Sequence, residues 1–172
     1  MNNTTFIIAQ AFGIIAVILG FVSYQMKSRK SILLLQIATS VVFCVHYLLL
    51  GALPALVLNA LGIVLKAVYI LRNSKNDKLL PVIFAITMGI AGTFSWQNTF
   101  SIFVILGLVI NTLFLSSKNA QTIRYSILVT SPMVIVYNVA VLSFGGIIYE
   151  SIAIISSVIG ILRYRKEKVS LR

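Results

Sequence analysis

The chain has 172 residues, of which 59% are hydrophobic and only 10% are charged, with a formal net charge of +11. About a quarter of the residues in a soluble domain are charged, so this composition excludes a soluble globular protein and indicates an integral membrane protein. The length accommodates roughly seven spans of about 20 residues with short connections, and it leaves no room for a separate soluble domain.

Hydrophobic runs separated by short polar or glycine-containing breaks predict seven helices. In chain order we expect them at residues 6–25, 31–50, 54–71, 79–94, 100–115, 125–144 and 147–162. No basic segment precedes the first run, which favours a retained helix over a cleaved signal peptide. The fourth and fifth helices are short, and one run that continues through Trp96 is the alternative for this part of the chain.

The connections between the predicted helices alternate in charge. Every lysine and arginine except Lys66 follows the first, third, fifth or seventh helix, whereas the other connections and the N-terminus carry no charge. Basic connections stay in the cytoplasm, so we expect the N-terminus outside and the C-terminus in the cytoplasm. The same asymmetry explains the net charge without a nucleic-acid partner. The basic residues are Lys27, Arg29, Lys30, Arg72, Lys75, Lys78, Lys118, Arg124, Arg163, Arg165, Lys166, Lys168 and Arg172, with Asp77 and Glu167 among them.

An internal repeat relates the two halves of the chain. Residues 46–59 align with residues 137–150 without a gap at an offset of 91, whereas the segments upstream align only with a gap. Apolar sequences align easily, so chance similarity is the alternative. With the fourth helix (79–96) as a linker, residues 6–72 and 100–165 form two three-helix repeats of the same orientation. Parallel repeats in a 3+1+3 order are one of the known transporter plans.

Polar residues occupy matching positions in the third and seventh predicted helices. Asn59 and Lys66 share one helix face, as do Glu150 and Ser157, and the repeat pairs Asn59 with Glu150 and Lys66 with Ser157. Polar groups that faced lipid would lack partners, so the matched faces predict a polar path between the halves. Lys66 and Glu150 are separated by about 10 Å along the helix axes, so we do not expect a direct ion pair. The alternative for Lys66 is that its side chain extends, or snorkels, to the cytoplasmic interface. The alternative for Glu150 is that it holds neighbouring helices together.

The residues that precede the two aligned turns are candidates for the side chains that surround the predicted polar path. The repeat pairs His46 with Tyr137 and Tyr47 with Asn138. A lone histidine in an apolar helix is more often hydrogen-bonded within the protein than a proton relay. On the second helix Tyr47 shares a face with two further polar residues, Gln36 and Ser40. The first helix carries a stripe that predicts close helix packing, formed by Gln10, Gly13, Gly20 and Tyr24.

Residue types for enzymatic chemistry are scarce. The chain contains one histidine and one cysteine, Cys44, and Glu150 is the carboxylate that lies inside the hydrophobic runs. We therefore expect no hydrolytic constellation, no metal site and no bound cofactor. Cys44 is interpreted as a packing residue. The expected partners of this non-enzymatic protein are the lipid bilayer and a small solute, and a homo-oligomer is left open.

Several of these segments resemble the YgjV-type bacterial inner-membrane proteins over nearly the whole chain. They are residues 10–17, Gln36, residues 46–52, 58–60 and 143–150, and the most specific are the His-aromatic-x-Leu-Leu-Gly stretch from His46 and the Gly-Gly-x-x-x-Glu stretch that ends at Glu150. That family is similar in organisation to the SWEET, PQ-loop and nicotinamide riboside transporter group. The resemblance implies a multi-pass protein of the bacterial cytoplasmic membrane with a 3+1+3 bundle, and it implies no particular substrate.

The sequence departs from the wider transporter group at two places. Tyr24-Gln25 lacks the proline of the proline-glutamine motif, so a proline hinge is not expected in the first half. Asparagines on helices three and seven line the sugar site of SWEET-like proteins. Asn59 is similar in placement, but its repeat mate is Glu150, which favours a cationic or proton-coupled solute over a plain sugar.

The sequence therefore predicts a small-solute transporter that works by alternating access between two three-helix bundles. Asn59 and Glu150 are expected to contact the solute, and Lys66 to close the cytoplasmic half. The alternative is a non-transporting assembly or sensor protein whose polar residues only hold helices together. The candidate substrate-binding residues are Asn59, Glu150, Lys66, His46, Tyr47, Tyr137, Asn138 and Ser157.

Overall fold

The computed structural model describes residues 2–25, 29–72, 79–115 and 120–170, and these residues form seven helices and no strand. The helical class and the number of helices predicted for this part of the chain are confirmed. α4 and α5 are separate helices, which excludes a continuous run through Trp96. The helices are α1 (Asn3–Gln25), α2 (Arg29–Leu50), α3 (Leu53–Arg72), α4 (Leu79–Phe94), α5 (Ser101–Leu115), α6 (Ala120–Ala140) and α7 (Phe144–Ser170).

The predicted bounds of the last two helices were wrong. α6 ends at Ala140 instead of residue 144, and α7 begins at Phe144, so the two glycines predicted as a connection lie in its first turn. Ser143 caps this helix, because its Oγ accepts a hydrogen bond from the Gly146 N–H at 3.1 Å. α7 also continues to Ser170 through a segment rich in lysine, arginine and glutamate, which are good helix formers.

The outer surface of the described chain is apolar over most of its length. Four helical segments are long and apolar enough to cross a membrane: Asn3–Ser23, Lys30–Leu50, Leu53–Leu71 and Phe144–Arg163. Leu79–Phe94 and Ser101–Phe114 are apolar but shorter. Large side chains such as Ile7, Ile83 and Phe94 are exposed, as expected of surfaces that face lipid tails. Lys27, Lys75, Asp77, Lys78, Lys118 and Arg172, which the topology prediction used, lie outside the described residues.

Six of the helices form a closed ring. α2 packs against α1 and α3, α6 packs against α5 and α7, and the ring closes where α1 meets α7 and where α3 meets α5. α4 lies outside this ring, against α3 and α5. The described parts of α2 and α6 make no backbone contact, because they stand opposite each other. This arrangement leaves room for a cavity in the interior of the ring.

The α2–α3 and α6–α7 connections have the same backbone geometry. Each contains one residue of positive φ, Gly51 at 70° and Leu142 at 55°. In both connections the next residue donates its N–H to the carbonyl five residues earlier, the bond of a Schellman turn that ends a helix. These bonds are Ala52 N to Tyr47 O at 2.9 Å and Ser143 N to Asn138 O at 2.8 Å. The equivalent residues of the two turns are 91 positions apart, the offset at which the sequences align.

The two ends of the ring differ in their connections. The turns at residues 51–52 and 141–143 lie at one end together with the connection 95–100, because hydrogen bonds join them directly or through neighbouring helices. We call this end the short-connection end. The opposite end, where α1, α3 and α5 end and α2, α4 and α6 begin, is called the basic end after the charges in its connections.

Candidate functional site

A cavity of about 250 Å³ lies inside the ring, with walls from α2, α3, α5, α6 and α7. At about 30 Å³ per molecule this volume corresponds to roughly eight waters. Much of its lining is polar, which is unusual at membrane depth unless the groups face an aqueous space. The polar lining residues are Gln36, Thr39, Ser40, Asn59, Lys66, Asn111, Thr130, Ser131 and Glu150.

Asn59 and Glu150 line this cavity from α3 and α7. Each residue lies eight positions after the positive-φ residue of its own turn, so both are at the same depth below the short-connection end. Asn59 Nδ2 donates to the Ala55 carbonyl at 2.9 Å, which makes Oδ1 the acceptor that this side chain offers to a solute. Ser131 on α6 lines the same cavity and is the neighbouring side chain that interacts with the Glu150 carboxyl. The structure thus brings together the two residues that the repeat had paired.

Lys66 also lines the cavity, and its ammonium group is held inside it. Nζ donates to Ser40 Oγ on α2 at 2.8 Å. Nζ lies 3.8 Å from the position that a Cβ on Gly62 would take, so the side chain runs back along α3 toward the short-connection end. Snorkelling toward the basic end is therefore wrong for this lysine. Nζ is also the one atom that such a Cβ would meet within 4 Å among the described residues, so Gly62 makes no close contact with another helix.

Ser157, the repeat mate of Lys66, is buried in α7 but does not line the cavity. Ala153 is the last α7 residue on the wall. Ser157 shares the helix face of Glu150 but lies four residues, or about 6 Å along the axis, beyond Ala153 toward the basic end, past the last wall residue of α7. Of this predicted pair, only Lys66 therefore lines the cavity.

His46 is fully buried beside the cavity and is hydrogen-bonded on both ring nitrogens. Nδ1 lies 2.6 Å from the Ala9 carbonyl oxygen and Nε2 lies 2.7 Å from Ser143 Oγ. Because a carbonyl only accepts, Nδ1 carries the hydrogen, and Nε2 of the neutral ring accepts from the Ser143 hydroxyl. His46 therefore joins α1, α2 and the turn before α7. It does not line the cavity, so its role in the structure is positioning.

Tyr47 and Asn138 meet between the two halves. Tyr47 Oη donates to Asn138 Oδ1 at 2.9 Å, and the two residues are 91 positions apart. Equivalent residues of two repeats can touch each other only near the axis that relates the repeats. Tyr47 lines the cavity, whereas Asn138 and Tyr137 are fully buried behind it. A Cβ on Gly146 would lie 2.6 Å from the Asn138 amide, so only glycine at this position leaves room for the Asn138 side chain.

Three aromatic side chains form one wall of the cavity. Phe43 stacks on Tyr47 with ring centroids 5.6 Å apart, and it meets Tyr149 edge to face at 5.2 Å. All three residues line the cavity, and Tyr149 directly precedes Glu150. The site therefore combines a carboxyl group with an aromatic surface.

Gln10 on α1 clamps the turn between α6 and α7. Its Nε2 donates to the Leu142 carbonyl at 2.8 Å, and its Oε1 accepts from the Phe144 N–H at 3.1 Å. The same seam is tight along its length, because a Cβ on Gly145 would collide with the backbone of Gly13. The close-packing stripe predicted for the first helix is confirmed for the described side chains of that stripe, and it faces α7.

Gln97 makes the same clamp on the turn between α2 and α3. Its Nε2 donates to the Gly51 carbonyl at 2.9 Å, and its Oε1 accepts from the Leu53 N–H at 2.9 Å. Gln97 binds residues 51 and 53, and Gln10 binds residues 142 and 144, so the two glutamines hold equivalent backbone atoms of the two turns, 91 positions apart. Gln10 of the first repeat thus holds the turn of the second, and Gln97, just before the second repeat, holds the turn of the first. Sequence analysis missed Gln97 because it lies in an uncharged connection. The repeat gave no signal for it either, because Gln97 lies 87 positions after Gln10 and not at the offset of 91.

No three histidine, cysteine, aspartate or glutamate side chains come together within the described ranges. Among the residues that the structure describes, the site therefore presents hydrogen-bonding groups and two ionisable side chains, Lys66 and Glu150.

A family model described as that of a bacterial inner-membrane protein, Imp-YgjV, matches residues 7–168. The match covers all or part of every helix in the ring and confirms the resemblance found in the sequence. No curated protein and no solved structure matches the chain.

Proposed function

We propose that this chain, which belongs to the YgjV family of bacterial inner-membrane proteins, carries a small polar or cationic solute through the cavity between its halves. The observation that carries the proposal is the polar cavity of about 250 Å³ with Glu150 and Lys66 in its wall. Ionisable groups at membrane depth are rare and usually mark a solute or ion pathway. A dry, packed interface between α3 and α7 would instead have favoured a structural role.

The proposed transport cycle is alternating access between two three-helix repeats. Matching turns at Gly51 and Leu142 and the contact of Tyr47 with Asn138 support such a repeat, with α4 as a linker outside the ring. In this scheme seven spans place the short-connection end outside and the basic end in the cytoplasm. The 3+1+3 plan is the feature that the proposal shares with the SWEET and PQ-loop group.

Contacts at the short-connection end form a seal in this scheme. The seal comprises the Tyr47–Asn138 bond, the His46–Ser143 bond and the two glutamine clamps. Each of these contacts joins one half of the chain to the other. Separation of the halves at this end would break them together and would expose the cavity to the outside. The conformation described above is then the one closed on that side.

The structural alternative also has an observation in its favour. Lys66 donates to Ser40, and Asn59 donates to its own helix, as side chains that only hold helices together would do. An assembly or sensor protein would retain these bonds and would need no access to the cavity. Transport measurements separate the two functions.

Uptake into proteoliposomes tests the proposal. Purified protein is reconstituted, and accumulation of a panel of labelled amino acids, amines and sugars is compared with that in empty liposomes. We expect uptake of at least one solute, reduced about tenfold or more by Glu150→Gln, which removes the charge, or by Asn59→Ala, which removes a hydrogen-bond acceptor. Ser156→Ala, at an exposed position of α7, is the control and should leave uptake unchanged. Uptake that neither substitution alters would overturn the site, and no uptake of any solute would favour the structural alternative.

A further inference from the structure

We infer, resting on the transport function proposed above, that the solute is a small zwitterion whose cationic group lies at Glu150 and whose anionic group lies at Lys66. Both residues line one cavity. In the described part of the chain no ion pair joins them: Lys66 Nζ donates to Ser40 on α2, and Glu150 interacts with Ser131 on α6. Two opposite charges are thus held apart across a space that a solute can fill.

The two charges lie at different levels of the cavity. Glu150 is at the level of Asn59, whereas Lys66 Nζ reaches the level of Gly62. Gly62 is three residues further along α3, which is about 4.5 Å along its axis. A separation of a few ångströms is what an amino acid or a betaine presents between its own charges. Such a molecule also fits the volume of roughly eight waters.

The surroundings of Glu150 suit a cationic group. Asn59 contributes an acceptor oxygen, because its amide nitrogen is turned to the Ala55 carbonyl. The rings of Phe43 and Tyr149, which meet edge to face, add an aromatic surface to the same cavity. Carboxylates and aromatic faces together are the groups that proteins use for substituted ammonium ions.

The surroundings of Lys66 suit an anionic group. Its ammonium carries three donors, of which Ser40 takes one, and Gln36 lies one turn from Ser40 on the same wall of α2. Lysine binds carboxylates and phosphates as a compact point charge. A solute carboxylate at this level would place its charge against Nζ.

A solute with a single charge binds beside one of the two residues, Glu150 or Lys66, and is repelled by the other. A plain cation at Glu150 lies near the positive charge of Lys66, and a plain anion at Lys66 lies near Glu150. Like charges within about 10 Å of each other, at an effective dielectric constant of about 20, reduce the affinity about tenfold or more. A zwitterion keeps these longer-range repulsions but makes a close attraction at each level, which exceeds them, so the site discriminates by charge pattern as well as by size.

Binding to the purified full chain tests this inference. Glycine betaine and proline are compared by calorimetry with singly charged molecules of similar shape: choline and 3,3-dimethylbutanoate for the first, pyrrolidine and cyclopentanecarboxylate for the second. We expect at least one zwitterion to bind about tenfold or more tightly than its singly charged counterparts. Equal affinity for zwitterion and cation, or no binding of either zwitterion, would overturn the inference.

Variants assign the two ends of the bound molecule. Lys66→Met should lower the affinity for the zwitterion to that of the cation, whereas Lys66→Arg, which keeps the charge, should retain the preference. Glu150→Gln should lower the affinity for the zwitterion to that of the anion. Lys30→Met removes the charge of an exposed lysine on α2 and should change nothing. Loss of binding in Lys66→Arg and Lys30→Met alike would contradict the assigned roles.

Uptake measured in parallel separates this inference from the proposed function. Zwitterion binding without uptake would leave the site as inferred and would contradict transport. Uptake of a plain amine or a sugar, with no preference for zwitterions, would leave transport in place and would overturn the charge pattern.

Discussion

At the scale of single residues, the positions of Glu150 and Lys66 in the cavity wall were predictable, whereas their interaction partners were not. Their cost at membrane depth and their positions in a repeat indicated the cavity wall before any contact was known. The partners could not be predicted, because Ser40 and Ser131 lie on helices that meet α3 and α7 only in the folded ring. The direction of the Lys66 side chain also depends on Ser40, which binds Nζ inside the cavity.

The Tyr47 hydroxyl gives the first prediction. Tyr47→Phe removes the donor to Asn138 Oδ1 and leaves a buried acceptor without its partner, so the free energy of unfolding should fall by about 1–3 kcal/mol. Thermal unfolding in detergent measures the effect. Tyr125→Phe is the matched control, because Tyr125 is 49% exposed, and it should stay within about 0.5 kcal/mol of the wild type. Equal melting temperatures of the two variants would show that the contact between the halves contributes nothing.

At the scale of elements, the helices were predictable and their ends were less so. Hydrophobic runs predicted all seven helices, but the glycines after Ser143 were interpreted as a connection. Glycine is compatible with a helix start when another residue caps it, and the cap was visible only in the hydrogen bond of Ser143 with Gly146. The close approach of α1 and α7 then explains why small residues occupy this seam.

Gly145 tests that seam. Gly145→Ala should lower the free energy of unfolding by about 1–3 kcal/mol, because the added methyl group meets the backbone of Gly13, which cannot rotate away. Gly89→Ala in α4 is the matched control, since nothing lies within 4 Å of its added Cβ. It should be neutral or stabilising by about 0.5–1 kcal/mol, as alanine favours helix more than glycine does. Destabilisation of both variants to the same degree would contradict the role of the seam.

The glutamine clamps predict a crossed pattern of amide exchange. Gln10→Ala should speed hydrogen exchange at the Phe144 N–H and leave Leu53 unchanged, because Gln10 holds the turn of the other half. Gln97→Ala should speed exchange at the Leu53 N–H and leave Phe144 unchanged. NMR or mass spectrometry of the protein in nanodiscs resolves the two turns. Faster exchange at both turns in each variant would indicate general loosening instead of two separate clamps.

At the scale of the whole molecule, charge and repetition were the informative signals. The asymmetry of the basic residues predicted a multi-pass bundle, and the offset of 91 anticipated the matching turns at Gly51 and Leu142. The closed ring was not predictable, because helix neighbours depend on side-chain fit at seams such as that of Gly13 with Gly145. The two glutamine clamps were not predictable for the same reason, because each joins segments that meet only in the folded ring.

The transport function proposed above requires that the cavity be reached from both sides of the membrane. Asn59→Cys in a Cys44→Ala background places one thiol in the cavity wall, and Val64→Cys, exposed on the lipid-facing surface of α3, is the control. Maleimides react with the thiolate, which forms only where water reaches the thiol. Sealed vesicles of both orientations are treated with a maleimide that does not cross membranes. Alternating access predicts labelling of Asn59→Cys from both sides and of Val64→Cys from neither. Failure of Asn59→Cys to react from one or both sides would contradict alternating access.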